Sequence, residues 1–330
     1  MLNVKITATA TYLPKRVVTS EEVDVRIGEK AGWSEKKSGV RTRHFADHET
    51  ASEMGALAAI KALKKANLTY EDLDCIVCAS GVPQQAIPCT AALVQEQLGK
   101  QMSGTPCFDV NATCLSFVTA LDMMSYAIEA NRYRRICIIS SEIASAGLDW
   151  ENKESAALFG DGAVAVIVER ASDEDSSKII HAKMETYSKG AHFTEIRGGG
   201  TMISPRHYDK ADEKDFLFDM NGRAIFRLTS TLMTDYLDRL FAPVPYSLDD
   251  IELVIPHQAS QMAMGIIRKK MGVPEERFMN IISTYGNTIA ASIPMALHEA
   301  IETERIKRGD RILLLGTSAG LSIGGMILEY

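Results

Sequence analysis

The stretch Asp72-Leu73-Asp74-Cys75-Ile76-Val77 decides the fold, because a similar stretch recurs later as Asp250-Ile251-Glu252-Leu253-Val254-Ile255. A second pair of similar segments follows in the same order, Ala127-Ile128-Glu129 and Ala300-Ile301-Glu302. After each of these comes a basic turn and an apolar strand pattern, at 134–142 and at 310–318. The repeat predicts α/β layers with largely parallel strands, used twice in one chain.

Two long helices are expected at matching places in the repeat. Apolar residues recur at three- and four-residue steps over Leu115–Asn131 and again over Ala291–Glu304, which is the pattern of one buried helical face. A chain of 330 residues suits two such units. We place them at 1–170 and 171–330, and we expect solvent-facing loops over the polar stretch 171–215.

Composition excludes several classes of protein. Lys and Arg number 36 against 43 Asp and Glu, a net charge of −7, which argues against a nucleic-acid binder. No window approaches the ~18 consecutive apolar residues of a membrane span, and the N-terminal residues lack a signal-peptide pattern. Six irregularly spaced cysteines do not form a disulfide framework, so a reduced, cytoplasmic protein is expected.

Two motifs suggest chemistry that their surroundings do not support. Cys75 and Cys78 form C-x-x-C, but they lie in an apolar strand pattern with no second ligand pair, so core packing is favoured and no metal site is predicted. Cys137 is interpreted in the same way. The segment 316–320 matches G-x-S-x-G, but a terminal strand follows it and His298 precedes it, so the hydrolase interpretation fails.

Three polar residues stand at corresponding positions of the repeat. Cys114 directly precedes the first long helix, where backbone N–H groups favour a thiolate, although a packed turn cysteine is an equal alternative. The spacing of the helical repeat makes Asn287 the counterpart of Cys114. His257 ends the strand of the second half, where α/β proteins place functional side chains, although such a His is often structural. Together they form a hypothesis for a catalytic site.

The sequence resembles ketoacyl synthase III, that is 3-oxoacyl-[acyl-carrier-protein] synthase III, of the thiolase superfamily. The resemblance runs from end to end and rests on Trp33, Ser38-Gly39-Val40-Arg41-Thr42-Arg43-His44, Phe108-Asp109-Val110-Asn111-Ala112-Thr113-Cys114, Phe159-Gly160-Asp161-Gly162-Ala163, His257-Gln258-Ala259 and Gly286-Asn287-Thr288-Ile289-Ala290-Ala291-Ser292. It implies a five-layered α-β-α-β-α sandwich of two pseudo-twofold-related halves, and a homodimer.

The resemblance also implies a reaction. Cys114 would accept an acyl group from acyl-CoA, with the backbone N–H groups of Cys114 and Ala319 as the oxyanion hole. His257 and Asn287 would stabilise the enolate formed when malonyl-ACP or malonyl-CoA loses carbon dioxide. No metal or redox cofactor is implied, because CoA and acyl-carrier-protein thioesters are the substrates.

Substrate contacts implied by the resemblance are Trp33 and Lys153 at the CoA adenine, for which a surface position without a ligand is an equal alternative. Arg223 lies in the loop 220–223, which the resemblance places near the pantetheine and phosphate groups. Ile87 would close the acyl pocket of the other subunit, and because it is smaller than the usual phenylalanine we expect the pocket to tolerate medium acyl chains, about C6 to C10, beyond acetyl. One methylene changes binding by only ~0.8 kcal/mol, so no single residue fixes the chain length. Acidic acyl carrier protein would dock on Arg268-Lys269-Lys270, for which a solvated helix end is an equal alternative.

Departures from the family pattern leave the pathway open. Ser318-Ala319-Gly320 stands in place of three glycines, Ser260 and Met262 in place of an Asn and an Arg, and Arg223 in place of an Asn. The alternative function is a ketosynthase of specialised metabolism that joins two acyl or β-ketoacyl thioesters into a dione, pyrone or resorcinol. A catalytically inactive partner subunit is disfavoured, because all three catalytic candidates are present.

Overall fold

The computed structural model describes the backbone throughout residues 1–330 and the side chains outside residues 207 and 210–212. The strands are β1 (Val4–Tyr12), β2 (Arg16–Thr19), β3 (Thr42–Phe45), β4 (Cys75–Cys78), β5 (Cys107–Asp109), β6 (Arg135–Glu142), β7 (Gly162–Arg170), β8 (Lys178–Thr186), β9 (Thr194–Glu195), β10 (Asp219–Met220), β11 (Leu253–Pro256), β12 (Arg311–Ser318) and β13 (Ser322–Glu329). The helices are α1 (Ser20–Arg26), α2 (Trp33–Ser38), α3 (Ala51–Lys65), α4 (Thr90–Gln97), α5 (Ser116–Glu129), α6 (Lys153–Ala156), α7 (Gly222–Phe241), α8 (Gln261–Lys270), α9 (Ile282–Tyr285) and α10 (Ser292–Glu302).

Two large sheets repeat the same order of strands. The first is β1-β7-β6-β4-β5 and the second is β8-β13-β12-β11. In both, the strand of the quoted repeat (β4 or β11) pairs in parallel with the next long strand (β6 or β12), and the following pairs are antiparallel. The repeat is therefore structural. The prediction of largely parallel strands is wrong, since β12 and β13 form a hairpin whose short turn permits only antiparallel pairing.

Alternate residues of each strand face different layers. Cys75 and Val77 of β4 meet α5 and α10 in a central core, together with Leu253 and Ile255 of β11. Ile76 and Cys78 face α3 and α4 on the opposite side of the first sheet. On the far side of the second sheet, Val254 packs with residues of α7 and α8. Both faces of both sheets are covered, which explains the unbroken apolar runs, and the layers form the five-layered sandwich that the resemblance implies.

The predicted helices are present with shifted ends. A 3₁₀ turn, Thr113–Leu115, precedes α5, and another, Ile289–Ala291, precedes α10. The expected loop region 171–215 is partly wrong, because β8 forms the edge of the second sheet there. Within the described part of the chain, no helix is both long enough and apolar enough to cross a membrane.

Candidate active site

Cys114 lies in the strained turn that leads into α5. Thr113 has φ 50°, a conformation that non-glycine residues rarely adopt, and the Oδ1 atom of Asn111 accepts a hydrogen bond from its N–H at 2.9 Å. The Ser116 hydroxyl donates to the Thr113 carbonyl at 2.6 Å and accepts from the N–H of Ala112. These bonds fix the nucleophile candidate at the start of the helix.

The environment of the Cys114 thiol is different from the predicted one. Burial, and to a smaller extent the carboxyl group of Glu142, raise the pKa of Cys114 to about 12, whereas the N–H groups of Ala319 and Cys114 lower it. The backbone donors therefore favour the thiolate as expected, but the loss of solvent around the sulfur outweighs them.

The β12–β13 hairpin brings a second backbone donor to Cys114. The Ala319 N–H lies near enough to the Cys114 sulfur to lower the pKa of the thiol, and the Thr113 hydroxyl donates to the Ala319 carbonyl at 3.4 Å. Gly316 allows this approach, since a Cβ there would lie 3.0 Å from the Cβ of His257 and 3.1 Å from Leu115. The G-x-S-x-G segment therefore ends one strand and begins a hairpin, which excludes the nucleophile-elbow geometry.

His257 follows β11 and is buried beside α10. Its Nδ1 lies 2.6 Å from the hydroxyl of Ser292, and that hydroxyl also accepts the N–H of Gln258 at 3.4 Å. With the Ser292 hydroxyl as donor to Nδ1, the proton of the neutral His257 ring lies on Nε2. Burial lowers the pKa of His257 to about 4, so the imidazole is neutral at pH 7.

Asn287 is held by the segment that contains the Phe159-Gly160-Asp161 motif. Its N–H donates to the carbonyl of Leu158 at 2.9 Å, and its carbonyl accepts from Gly160 at 3.1 Å. Glycine is required at 160, because a Cβ would lie 2.2 Å from the carbonyl of Tyr285. The Oδ1 atom accepts the N–H of Ile289 at 2.9 Å, so the Nδ2 donors point to the other side, where Nδ2 lies 3.5 Å from the carbonyl of Ala259.

The equivalence predicted between Cys114 and Asn287 is wrong by three residues. Ile289, with φ 49°, starts the turn before α10 just as Thr113 starts the turn before α5. Asn111 and Asn287 each accept the N–H two residues ahead through Oδ1, so these two asparagines are counterparts. Ala290 is then the counterpart of Cys114. The two turns nevertheless contact each other, which brings the segments that carry Cys114 and Asn287 together.

An apolar cavity of 170 Å³ leads to His257. It runs between α7 and α8 and is lined by residues including Leu158, Met220, Phe226, Thr229, Ala259 and Gly316; Cys114 itself is not among its lining residues. The hydroxyl of Thr229 is buried and has no hydrogen-bond partner among the described residues. The cavity thus offers an apolar path with one unpaired polar group.

The substrate-contact candidates are only partly brought to this cavity. Trp33 and Lys153 begin helices α2 and α6, which pack against each other. Lys153 Nζ is 2.6 Å from the carboxylate of Glu29, an ion pair that an incoming anion would have to open. Arg223 is exposed in the first turn of α7, next to the lining residue Gly222. Ile87 is 84% exposed and does not line this cavity.

The three residues of the basic patch have different surroundings. Arg268 is partly buried, donates to the carbonyl of Val273 at 3.1 Å and lies 3.6 Å from Glu275, so it closes the end of α8. Lys270 donates to the carbonyl of Ser230. The side chain of Lys269 is exposed and makes no hydrogen bond or ion pair with a described residue. Arg268 and Lys270 are therefore engaged within the protein, and Lys269 is the member of the patch whose charge is left for solvent or a partner.

The prediction that Cys75, Cys78 and Cys137 pack in the core is confirmed. Cys75 and Cys78 face opposite sides of the first sheet and both are buried, as is Cys137. All six cysteines are free. Among the described side chains, no group of three or more His, Cys, Asp or Glu is placed to hold a metal ion.

Sequence reasoning missed three buried polar residues at the site. They are Glu142 at the end of β6, Ser292 behind His257, and Thr229 in the cavity wall. Glu142 carried a usable signal, because it is the first charged residue after the apolar run Ile136–Ile139 and therefore falls at a strand end. No sequence pattern marked Thr229, because its neighbours in the cavity come from distant segments of the chain.

The duplicated five-layered fold, with a cysteine before one central helix and a His–Asn pair beside the other, defines a thiolase-fold acyltransferase. The family model for 3-oxoacyl-[acyl-carrier-protein (ACP)] synthase III matches residues 108–188, and the model for its C-terminal part matches residues 244–330. The chain therefore belongs to the 3-oxoacyl-[acyl-carrier-protein] synthase III family, the condensing enzymes that the sequence resembles.

Individual relatives agree along their whole length. The chain is 35% identical to beta-ketoacyl-[acyl-carrier-protein] synthase III of Aquifex aeolicus (strain VF5), covering 100% of both chains. It is 32% identical to the enzyme of the same name from Clostridium acetobutylicum, covering 100% of this chain and 99% of that one. The crystal structure of the Aquifex aeolicus enzyme superimposes with a TM-score of 0.88 at 34% identity, over 99% and 100% of the two chains.

Proposed function

We propose that the enzyme transfers an acyl group from acyl-CoA to Cys114 and condenses it with malonyl-ACP to give a 3-oxoacyl thioester. The observation that carries this proposal is that two backbone N–H groups, those of Cys114 and Ala319, lie beside the Cys114 sulfur and lower the pKa of the thiol. His257 and Asn287 each have a hydrogen-bond donor left over once their fixed partners are counted.

Acylation exchanges one thioester for another. The Cys114 sulfur attacks the thioester carbon, the bond from that carbon to the CoA sulfur breaks, and the CoA thiolate takes up the proton that Cys114 loses. The N–H groups of Cys114 and Ala319 lower the pKa of the thiol and then bind the oxyanion of the tetrahedral intermediate.

Condensation begins with the loss of carbon dioxide from the malonyl thioester. The electron pair of the broken C–C bond moves into an enolate, whose oxygen accepts hydrogen bonds from His257 Nε2 and Asn287 Nδ2. The enolate carbon attacks the acyl carbon, Cys114 leaves as thiolate, and one proton from solvent restores the thiol. A neutral His suits this role, and no metal or redox cofactor is needed for any step.

The pantetheine arm is proposed to enter along the cavity that leads to His257. The apolar walls suit its alkyl segments, and the unpaired Thr229 hydroxyl can bond one of its amide groups. Trp33 and Lys153 lie on the helices that we assign to the adenine end, and Arg223 lies beside the cavity wall.

We propose that two copies of the chain form a homodimer. β5 ends the first sheet and pairs with no other described strand on its outer edge, and edge strands of this kind are usually covered. The exposed Ile87 lies in the loop 81–89, and in the dimer it would close the acyl pocket of the other subunit. A reducing cytoplasm is the proposed location, because Cys114 acts only as a free thiol.

Acyl carrier protein, if it docks by charge, is expected to use Lys269. The change Lys269→Glu should raise the KM for malonyl-ACP at low salt, with a smaller effect at high salt, because exposed charges are screened within ~10 Å at 0.1 M. Malonyl-CoA kinetics should change less. Arg268→Glu is the comparison: it should lower thermal stability, because Arg268 closes the end of α8. Equal KM values for wild type and Lys269→Glu at low salt would contradict carrier docking here.

The function is tested by two measurements made in sequence. Intact mass after incubation with acetyl- to dodecanoyl-CoA should show one acyl group per chain, with medium chains accepted because Ile87 is small. Addition of malonyl-ACP should then release a 3-oxoacyl-ACP two carbons longer than the donor. Efficient release of a dione or pyrone from a β-ketoacyl thioester would overturn the assignment in favour of specialised metabolism.

A further inference from the structure

A buried carboxyl group that the proposed reaction does not use lies beside the catalytic cysteine. Glu142 is the last residue of β6 and is 0% exposed. Its side chain makes no ion pair with any Lys or Arg among the described residues. Glutamate side chains without a neighbouring cation are rarely buried completely, so this group calls for a physical explanation.

Backbone donors from two separate segments satisfy this carboxyl group. The N–H groups of Gly81 and Val82 donate to its two oxygens, and the N–H of Ala290 is a third donor. Gly81 and Val82 begin the loop 81–89, whereas Ala290 lies in the turn that follows Asn287. Glu142 therefore ties the turn after Asn287 to the loop that carries Ile87.

Gly81 extends this connection to the turn of Cys114. Asn111 Nδ2 donates to the Gly81 carbonyl at 3.0 Å. A Cβ at Gly81 would lie 2.7 Å from Ile289 Cγ2 and 3.4 Å from the carbonyl carbon of Thr113, so this residue is enclosed between the two strained turns. The two turns are thus held against one carboxyl group, one of them directly and the other through Gly81.

We propose that Glu142 is a positioning residue, which fixes the turn of Cys114 relative to the turn of Asn287 and keeps the nucleophile in register with the enolate-binding groups. The inference rests on the proposed roles of Cys114 and Asn287. Glu142 touches no substrate in this scheme; it acts through the backbone of residues 81, 82 and 290.

The same carboxyl group also affects the acidity of the nucleophile. Burial raises the pKa of Glu142 to about 8, its three N–H donors lower it and Asp161 raises it. When ionised, Glu142 raises the pKa of both Cys114 and Cys78. Removing its charge should therefore make Cys114 more acidic, although the loss of its hydrogen bonds should make the enzyme slower.

The variant Glu142→Gln separates these two effects. A carboxamide has one acceptor oxygen, so at least one of the backbone N–H groups loses its partner. We expect kcat for condensation to fall by about 10- to 100-fold with KM little changed, since small displacements at a reacting centre cost this much. Alkylation of Cys114 by iodoacetamide, followed by peptide mass mapping, should become faster between pH 8 and 10.

Two further variants keep the test decisive. Asp24→Asn is the matched control, because Asp24 is also buried and accepts the N–H groups of Gly32 and Ser34, and it is not among the groups that shift the pKa of Cys114. It should lower thermal stability without changing the alkylation profile. Gly81→Ala displaces the same contact from the donor side, so it should lower kcat while leaving the charge of Glu142 in place.

The outcomes are distinct from those that test the function itself. Alkylation needs no substrate, and wild-type turnover is measured beside each variant. Unchanged kcat and unchanged alkylation in Glu142→Gln would overturn the positioning role. If Glu142→Gln does not fold, unchanged kcat in Gly81→Ala would overturn it instead. Wild-type protein without condensation activity would contradict the proposed function, whatever the variants show.

Discussion

Replacing Cys114 by alanine should abolish formation of the acyl-enzyme and reduce condensation by about 10⁴-fold or more, the scale seen when a covalent nucleophile is removed. The reason is geometric: the two N–H donors of Cys114 and Ala319 converge on this sulfur. Intact mass after incubation with acyl-CoA gives the readout, as one acyl adduct per chain in wild type and none in the variant.

Cys89 provides the matched control, because it tests whether loss of any free cysteine affects acylation. Cys89 is a half-buried free thiol that makes no side-chain cap bond at the start of α4, so Cys89→Ala should acylate like wild type. Cys114→Ala should also keep slow decarboxylation of malonyl thioester, because His257 and Asn287 remain in place. An acyl adduct of equal yield in Cys114→Ala would show that another residue is the acceptor.

The duplicated topology was predictable because its signal is local. The strands of the quoted repeat are apolar runs with both faces buried, and their order was set by similar segments in both halves. The direction of pairing was predicted wrongly, although the short segment between Ser318 and Ser322 is typical of a hairpin. The strand β8 was missed since its neighbours on both sides are polar loops.

The site was predictable in its members and not in its geometry. Cys114, His257 and Asn287 follow strand or turn signals that are visible in the sequence. Their alignment was wrong because α10, with 11 residues, is three residues shorter than α5, with 14, so that the spacing taken from the helix ends does not hold at the helix starts. The hydrogen bonds from the N–H of Thr113 to Asn111 Oδ1 and from the N–H of Ile289 to Asn287 Oδ1 reveal the true counterparts. The high pKa of Cys114 and the role of Ser292 depend on burial by distant segments, which a sequence pattern does not contain.

Removing either enolate donor should suppress decarboxylation while leaving acylation nearly intact. His257→Ala and Asn287→Ala should each lower the rate of carbon dioxide release from malonyl-ACP by about 10²- to 10³-fold, the usual cost of one oxyanion donor. Asn287→Asp is the sharper variant: its Oδ1 still accepts the N–H of Ile289, so the turn is kept, but a donor is replaced by a negative charge beside the enolate. It should be at least as slow as Asn287→Ala.

The pH dependence of the same half-reaction checks the protonation state of His257. Burial lowers its pKa to about 4, so the neutral ring that donates through Nε2 persists as the pH falls through the ordinary range of histidine. The rate of carbon dioxide release should therefore stay constant down to about pH 5 and decline only near pH 4, in wild type and in Asn287→Ala alike.

The free energy of unfolding should also decrease as the pH falls from about 6.5 to 4. Over this range His257 binds a proton in the unfolded chain, whereas the buried ring of the folded protein does not. If the rate of carbon dioxide release declined around pH 6.5 instead, His257 would titrate like an exposed histidine and the proposed neutral donor would be contradicted. If His257→Ala lost acylation and decarboxylation equally, His257 would act in acylation and not only in decarboxylation.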